Sequence, residues 1–257
     1  MSSIPVDVFR TILEHVRELA DLVALCQVNK TCCSCSQDVL YRDIWAIGDG
    51  IRVIQTLAHS TDLARRVRSL HAHQFDPELC SALQNMSSLR RLWLTSAGDA
   101  SILDGCTFKL DSFVSDFPYS ESLRKFLYSQ PSLTKVESFV TFELSSGSSP
   151  FEETCLPNLT QVMTNPSWLP ILIPGRPVGE VTIQESIHFV DFDFSFFTLS
   201  TAPIQKLRIP YTYLYPKSET LLACLFPSLV LLSVNIDIRN RSVRTTSIIF
   251  VYLACEF

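Results

Sequence analysis

One short phrase, apolar-x-x-apolar-x-(apolar or small), returns along the chain and constrains its fold more than any other feature. It reads Val67-x-x-Leu70-x-Ala72, Leu89-x-x-Leu92-x-Leu94, Leu133-x-x-Val136-x-Ser138 and Leu159-x-x-Val162-x-Thr164. It continues as Val178-x-x-Val181-x-Ile183, Ile204-x-x-Leu207-x-Ile209 and Leu229-x-x-Leu232-x-Val234. A weaker copy is placed at Thr107, around Leu110. With it included, successive starts lie 22, 18, 26, 26, 19, 26 and 25 residues apart. Alternating apolar positions suit a strand, so the phrase predicts one short strand per unit.

Between the phrases the period turns helical. Leu79, Cys80, Leu83 and Met86 share a helix face, as do Leu123, Phe126 and Leu127, and later Leu221, Leu222 and Leu225. The helices end in similar punctuation: Asn85-Met86-Ser87-Ser88-Leu89, Gln130-Pro131-Ser132-Leu133 and Phe226-Pro227-Ser228-Leu229. Where Pro stands it stops the helix, and the following Leu opens the strand. Units of strand, turn and helix at about 20 to 29 residues are the signature of leucine-rich repeats, in which stacked neighbours bury a continuous core. The expected fold class is therefore α/β, an irregular leucine-rich repeat solenoid with parallel strands on one side and helices on the other. Its turns are irregular. The position that usually holds Asn or Cys carries Phe75, Ala97, Thr141, Ser167, Ser186, Thr212 and Asp237. Two stretches fit the repeat poorly. Ser145–Pro150 is polar and reads as a loop. His188–Leu199 alternates Phe192, Phe194 and Phe196 with Asp191, Asp193 and Ser195, the pattern of a half-buried strand.

Bulk properties narrow the function. Charged residues are 18% of the 257 and apolar ones 47%, with a net charge of −5. A disordered chain has the opposite balance, and nonspecific nucleic-acid binding needs a positive field. The clusters Arg65-Arg66-Val67-Arg68 and Arg90-Arg91 read as solvated faces. No stretch reaches the roughly 18 apolar residues of a membrane span, and the N-terminus has no signal-peptide pattern. A cytoplasmic or nuclear location is expected, which makes the sequons at Asn29, Asn85, Asn158 and Asn240 chance matches and keeps the nine cysteines as thiols. Cys32-Cys33-Ser34-Cys35 lacks the second ligand pair of a closed zinc site. Cys32, Cys35 and Val39 instead share one helix face, where free cysteine packs as a small hydrophobe. His15 reads as a helix-surface residue.

The first 45 residues differ from the rest. Val8, Phe9, Ile12, Leu13 and Val16 form a narrow apolar stripe. Pro5 suits a first helical turn and Asp7 the positive end of the helix dipole. Asp21 is expected to cap a second helix carrying Leu22, Leu25 and Val28. A third runs from about Thr31 to Tyr41, with Cys32, Cys35, Val39 and Leu40 inward. So small a bundle is marginal by itself and needs support from the chain or a partner.

The order Ile4-Pro5, Val8-Phe9, Ile12-Leu13, Asp21-Leu22, Leu25, Val28-Asn29-Lys30, Leu40-Tyr41-Arg42 resembles the F-box motif. Where many members carry a Trp, this chain has Thr31-Cys32-Cys33. The resemblance implies a three-helix domain over residues 1–45 that docks on the Skp1 adaptor and, through it, a cullin. It implies contacts by Ile4, Pro5, Val8, Phe9, Ile12 and Leu13, with Leu25, Val28, Leu40 and Tyr41 in the core or at the interface rim. The phrase from Val53 to His71, a short helix, a polar break at Ser60-Thr61 and a strand, resembles the junction before the repeats of many fungal F-box proteins.

No chemistry competes with this reading. Phosphate-binding glycine loops and nucleophile elbows are absent from the sequence. Asp191 and Asp193 on one strand face are better explained as its wet side than as a carboxylate pair for hydrolysis. His71 and His73 lack a third metal ligand. The expectation is no enzyme, cofactor or metal. The chain would be a substrate-receptor subunit of a Skp1–cullin–F-box ubiquitin ligase, its repeats over 46–257 holding a protein substrate. The alternative is a repeat scaffold without a ligase role. After Val234 a polar cap is expected but Ser247–Cys255 is apolar, which reads as an array incomplete at its C-terminus with an exposed apolar edge.

Overall fold

The computed structural model describes residues 5–46, 50–73, 77–95, 98–138, 155–184, 193–210, 226–236 and 246–251. They form a mixed α/β fold in two compact units: Met1–Ser96 with Ile102–Leu110, and Ala97–Ser101 with Asp111–Phe257. The boundary expected at residue 45 lies inside the first unit.

The first unit opens with three helices, α1 (Val6–Leu13), α2 (Leu19–Leu25) and α3 (Lys30–Leu40). Strand β1 (Asp43–Ala46) follows, then α4 (Ile51–His59), α5 (Thr61–Ala64), β2 (Ser69–Ala72), α6 (Leu79–Asn85) and β3 (Arg91–Leu94). The strands pair in parallel, Ile44 beside Leu70 beside Leu92 and Ala46 beside Ala72 beside Leu94. These six side chains are buried, as are Ile54 and Leu57 of α4 and Leu79 and Leu83 of α6. The end of α6 is tied to the end of α4. Asn85 Nδ2 donates to the Ala58 carbonyl at 2.9 Å, satisfying one of the acceptors that the end of α4 leaves open.

The second unit holds β4 (Ser112–Ser115), α7 (Glu121–Tyr128), β5 (Lys135–Ser138), β6 (Gln161–Thr164), α8 (Leu169–Leu172), β7 (Glu180–Ile183), β8 (Lys206–Pro210), β9 (Leu231–Ile236) and β10 (Thr246–Val251). Strands β4 to β9 pair in parallel in chain order. Each repeat phrase puts its second and third positions on the buried face: Val136 and Ser138, Val162 and Thr164, Val181 and Ile183, Leu207 and Ile209. One backbone device recurs in both units. A carbonyl just before a strand accepts two successive N–H groups from the next strand's start: Arg42 from Arg68 and Ser69, Arg68 from Arg90 and Arg91, Thr134 from Thr160 and Gln161, Thr160 from Gly179 and Glu180.

Several expectations are corrected. The weaker copy is Leu110-x-x-Phe113-x-Ser115, so its start moves from Thr107 to Leu110 and the two short-and-long intervals become 21 and 23 residues. An earlier copy, Tyr41-x-x-Ile44-x-Ala46, supplies β1. The described part of the His188–Leu199 stretch is a 3-10 turn over Ser195–Leu199, not a strand. Asp193 causes this by accepting from the Ser195 N–H at 2.8 Å and its hydroxyl at 2.6 Å, a local turn that competes with extension. Phe194, Phe196 and Phe197 are all buried, and Phe194 and Phe197 meet Phe226 at 6.4 and 5.2 Å between ring centres. Thr246–Val251, at the start of the apolar C-terminal stretch, pairs antiparallel with β9. Six of the turn positions, Phe75, Ala97, Thr141, Ser186, Thr212 and Asp237, lie outside the described residues, as do Ser145–Pro150, Asp191, Phe192 and the helix expected around Leu221.

Candidate functional site: the exposed face of the N-terminal helices

Local chemistry sets the three helices. Pro5 stands at the N-cap of α1, and Asp7 lies in its first turn. Helix α2 starts at Leu19, two residues before Asp21, which sits in the first turn rather than capping. Asn29 caps α3 by accepting from the Cys32 N–H at 2.8 Å. The core they share is thin. Leu13, Leu22 and Cys35 are buried, with Phe9, Val16, Leu25, Val39 and Leu40 packed around them.

A core this small leaves apolar side chains outside it. Val8 and Ile12, one turn apart on α1, are 50% and 51% exposed, and Val28 is 63% exposed. Val6, Leu19 and Val23 join them at 48%, 67% and 51%. The apolar stripe of α1 and the motif order do not include these three. The signal was there, since Leu19 and Val23 are four apart and off the face of Leu22. Six exposed aliphatic side chains within residues 6–28 are more than the isolated ones a surface ordinarily carries. Between the starts of α1 and α3 lies an open groove of about 460 Å³, lined by Val6, Phe9, Asn29, Lys30, Thr31 and Cys32.

The residues expected to contact an adaptor therefore divide. Pro5, Val8, Ile12 and Val28 face outward, and Phe9 reaches the groove from the core. Leu13 lies inside the bundle at 1% exposure, where it can only support the surface. Leu25 and Leu40 pack against the core, and Tyr41 is half-buried at the end of α3. Ile4 lies outside the described residues.

Ion pairs brace the helices from beside this face. Asp38 on α3 receives Arg10 of α1 at 2.9 Å and also Arg66 from the segment after α5. Arg42 pairs with Glu14 at 2.6 Å, and its hydrogen bond and charge hold the Glu14 carboxyl below the usual carboxylate range. The basic run 65–68 thus serves in part to clamp the bundle. Arg66 also donates to the Ser34 carbonyl at 3.0 Å, and Arg68 to the Ser88 carbonyl at 3.3 Å. Burial, then the neighbouring Cys33, pushes the Cys26 thiol up, which keeps it protonated and unreactive. Exposed His15 takes Nδ1 to within 2.9 Å of the Thr11 carbonyl. Among the described residues no group of three or more His, Cys, Asp or Glu is placed to hold a metal. No helix among them is long and apolar enough to cross a membrane.

No protein-family model matches the chain, and a search of characterised proteins finds no match. The reading of this face rests on its residues.

Proposed function

We propose that this chain is the substrate-receptor subunit of a Skp1–cullin–F-box ubiquitin ligase: residues 5–41 bind Skp1 and the repeat-like strands and helices hold a protein substrate. The observation that carries the proposal is the exposure of Val6, Val8 and Ile12 on α1, Leu19 and Val23 on α2, and Val28 between α2 and α3, over a core of only three buried apolar side chains. Such a bundle presents its apolar surface instead of burying it, and a partner that covers it gains on the order of 1 kcal/mol per half-exposed aliphatic side chain. The order of residues from Pro5 to Arg42 matches that of the F-box motif, whose partner is Skp1. The strands and helices that follow would hold the substrate, and ubiquitin transfer would take place on other subunits. The regular recurrence of one strand per 19 to 26 residues supports a leucine-rich repeat solenoid as the finer description of the fold.

The discriminating variant is Val8→Glu with Ile12→Glu. Both side chains are exposed, so the bundle stays folded while its apolar face acquires charge. Wild-type chain co-purifies with Skp1 and the double variant does not. Failure of the folded wild type to retain Skp1 would overturn the proposal. Replacing Phe9 is less informative because that ring also packs on the core.

A further inference from the structure

We infer that the solvent face of strands β1–β3 is a docking site for an arginine side chain of a partner polypeptide, which stacks on the outer face of the Trp45 indole and pairs with the Asp43 carboxylate. Parallel registration places side chains of the three strands in cross-strand rows. Asp43, Ser69 and Arg91 form one row, and Trp45, His71 and Trp93 the next. In the second row the His71 ring lies 4.0 Å from the Trp45 indole and 4° from parallel, with Trp93 on its other side at 5.0 Å and a 37° tilt. The stack is built from the inside outward and stops at Trp45. Its side chain is 63% exposed, and among the described strands none pairs with β1 on its far edge. An indole at the end of a stack offers one more layer to whatever binds.

Charge selects what that layer is. Asp43 lies two residues before Trp45, on the same face of β1. Its Oδ1 accepts from Arg91 Nη2 at 2.8 Å, an ion pair that reaches across β2 and helps bury Ser69. That contact orients the carboxylate and leaves Oδ2 without a hydrogen bond among the described residues. An indole face is electron-rich and attracts cations. His71 does not oppose them, because burial and Arg91 favour its neutral form near neutral pH. Guanidinium fits both elements at once: it is planar, so it stacks, and it carries a fork of N–H donors for a carboxylate. Lysine supplies the charge without the plane, and an acidic side chain would face Asp43. The inference does not rest on the adaptor proposal, since it uses the sheet face and not the helices.

The test uses the full chain labelled at tryptophan nitrogen, followed by NMR during titration with an acetylated, amidated Gly-Arg-Gly peptide. Counterparts carry citrulline or Glu in place of Arg. The Trp45 indole resonance moves saturably with the arginine peptide and binds it roughly fivefold more tightly than the citrulline one, the scale of an exposed cation–π contact. Asp43→Asn weakens the arginine peptide by a similar factor. Read instead from the arginine peptide's own resonances, Trp45→Tyr retains binding, and Trp45→Ala abolishes it without changing the circular dichroism spectrum. Equal affinity for the citrulline peptide, preference for the Glu peptide, or no movement of Trp45 at millimolar arginine peptide would overturn the inference. The Trp45 and Asp43 variants leave Skp1 co-purification intact, so failure here is distinct from failure of the adaptor proposal.

Discussion

The fully buried guanidinium of Arg176 donates through Nε to the backbone carbonyl of Cys155, 2.8 Å away and 21 positions earlier in the chain. Its Nη1 donates to the Ile171 and Pro174 carbonyls at 2.9 and 2.7 Å. One side chain therefore ties the end of α8 to the segment before β6. The next residue after Cys155, Leu156, is held at φ +57°, a left-handed conformation that costs a leucine roughly 1–2 kcal/mol. Arg176 helps fix the chain where that strain is kept.

Replacing Arg176 with Met removes these hydrogen bonds and leaves buried carbonyls without their donor. The relief of no longer burying a cation offsets part of the loss, so the expected cost is about 2–4 kcal/mol. Urea unfolding followed by circular dichroism measures it. Arg176→Lys recovers little, because an ammonium cannot reach three divergent carbonyls from one planar fork. A Met variant as stable as wild type would show that the guanidinium is not the tie.

The cap at Asn29 yields a smaller effect in a more delicate place. Asn29→Ala deprives the Cys32 N–H of its acceptor and costs about 1 kcal/mol. Asn29→Asp keeps the cap and adds a favourable charge at the helix start. Since the bundle rests on three buried apolar side chains, the Ala variant increases amide hydrogen exchange across α3, while the Asp variant does not. Equal exchange in both would remove Asn29 from the account of the bundle.

His71 makes stability depend on pH. Its pKa is lowered, first by burial and then by Arg91. A base whose folded pKa lies below its unfolded value binds its proton more readily when unfolded, so acid favours unfolding. Its destabilising contribution is absent well above the ordinary histidine range near 6.5. It grows as pH falls through that range and is complete below the folded value. Asp43, Arg91 and His73 set the local field. NMR titration of the His71 ring will give a midpoint below 6.5, and His71→Phe will flatten the fall of Tm between pH 7 and pH 5. A midpoint above the ordinary value would reverse the sign and contradict the geometry.

Much of the strand plan was legible because its cause is local and repeated. Each phrase alternates, so Val136, Val162, Val181 and Leu207 had to share a face once any of them did. The first strand is hidden because Tyr41-x-x-Ile44-x-Ala46 begins at the C-cap of α3, where Tyr41 also continues the helical pattern. The stretch around Phe194 misled because alternation over a few residues also fits a turn. The decision there lay in the hydrogen bonds of Asp193, which periodicity does not report. In the helical face, sequence order placed Val8, Ile12 and Val28 among candidate contacts but could not separate them from Leu13. All four are apolar, and only packing decides that Leu13 goes in and Ile12 stays out. The Trp45–His71–Trp93 stack was invisible for a different reason. Its members are separated by 22 and 26 residues and meet only through parallel register.

The central proposal is that the exposed apolar residues Val8, Ile12 and Val28 bind Skp1. Calorimetric titration of Skp1 into the purified full chain tests it most directly. The expected result is saturable heat with one Skp1 per chain, and no heat for the Val8→Glu, Ile12→Glu variant at the same concentrations. Absence of heat with a folded wild-type chain, or undiminished binding by the double variant, would contradict it.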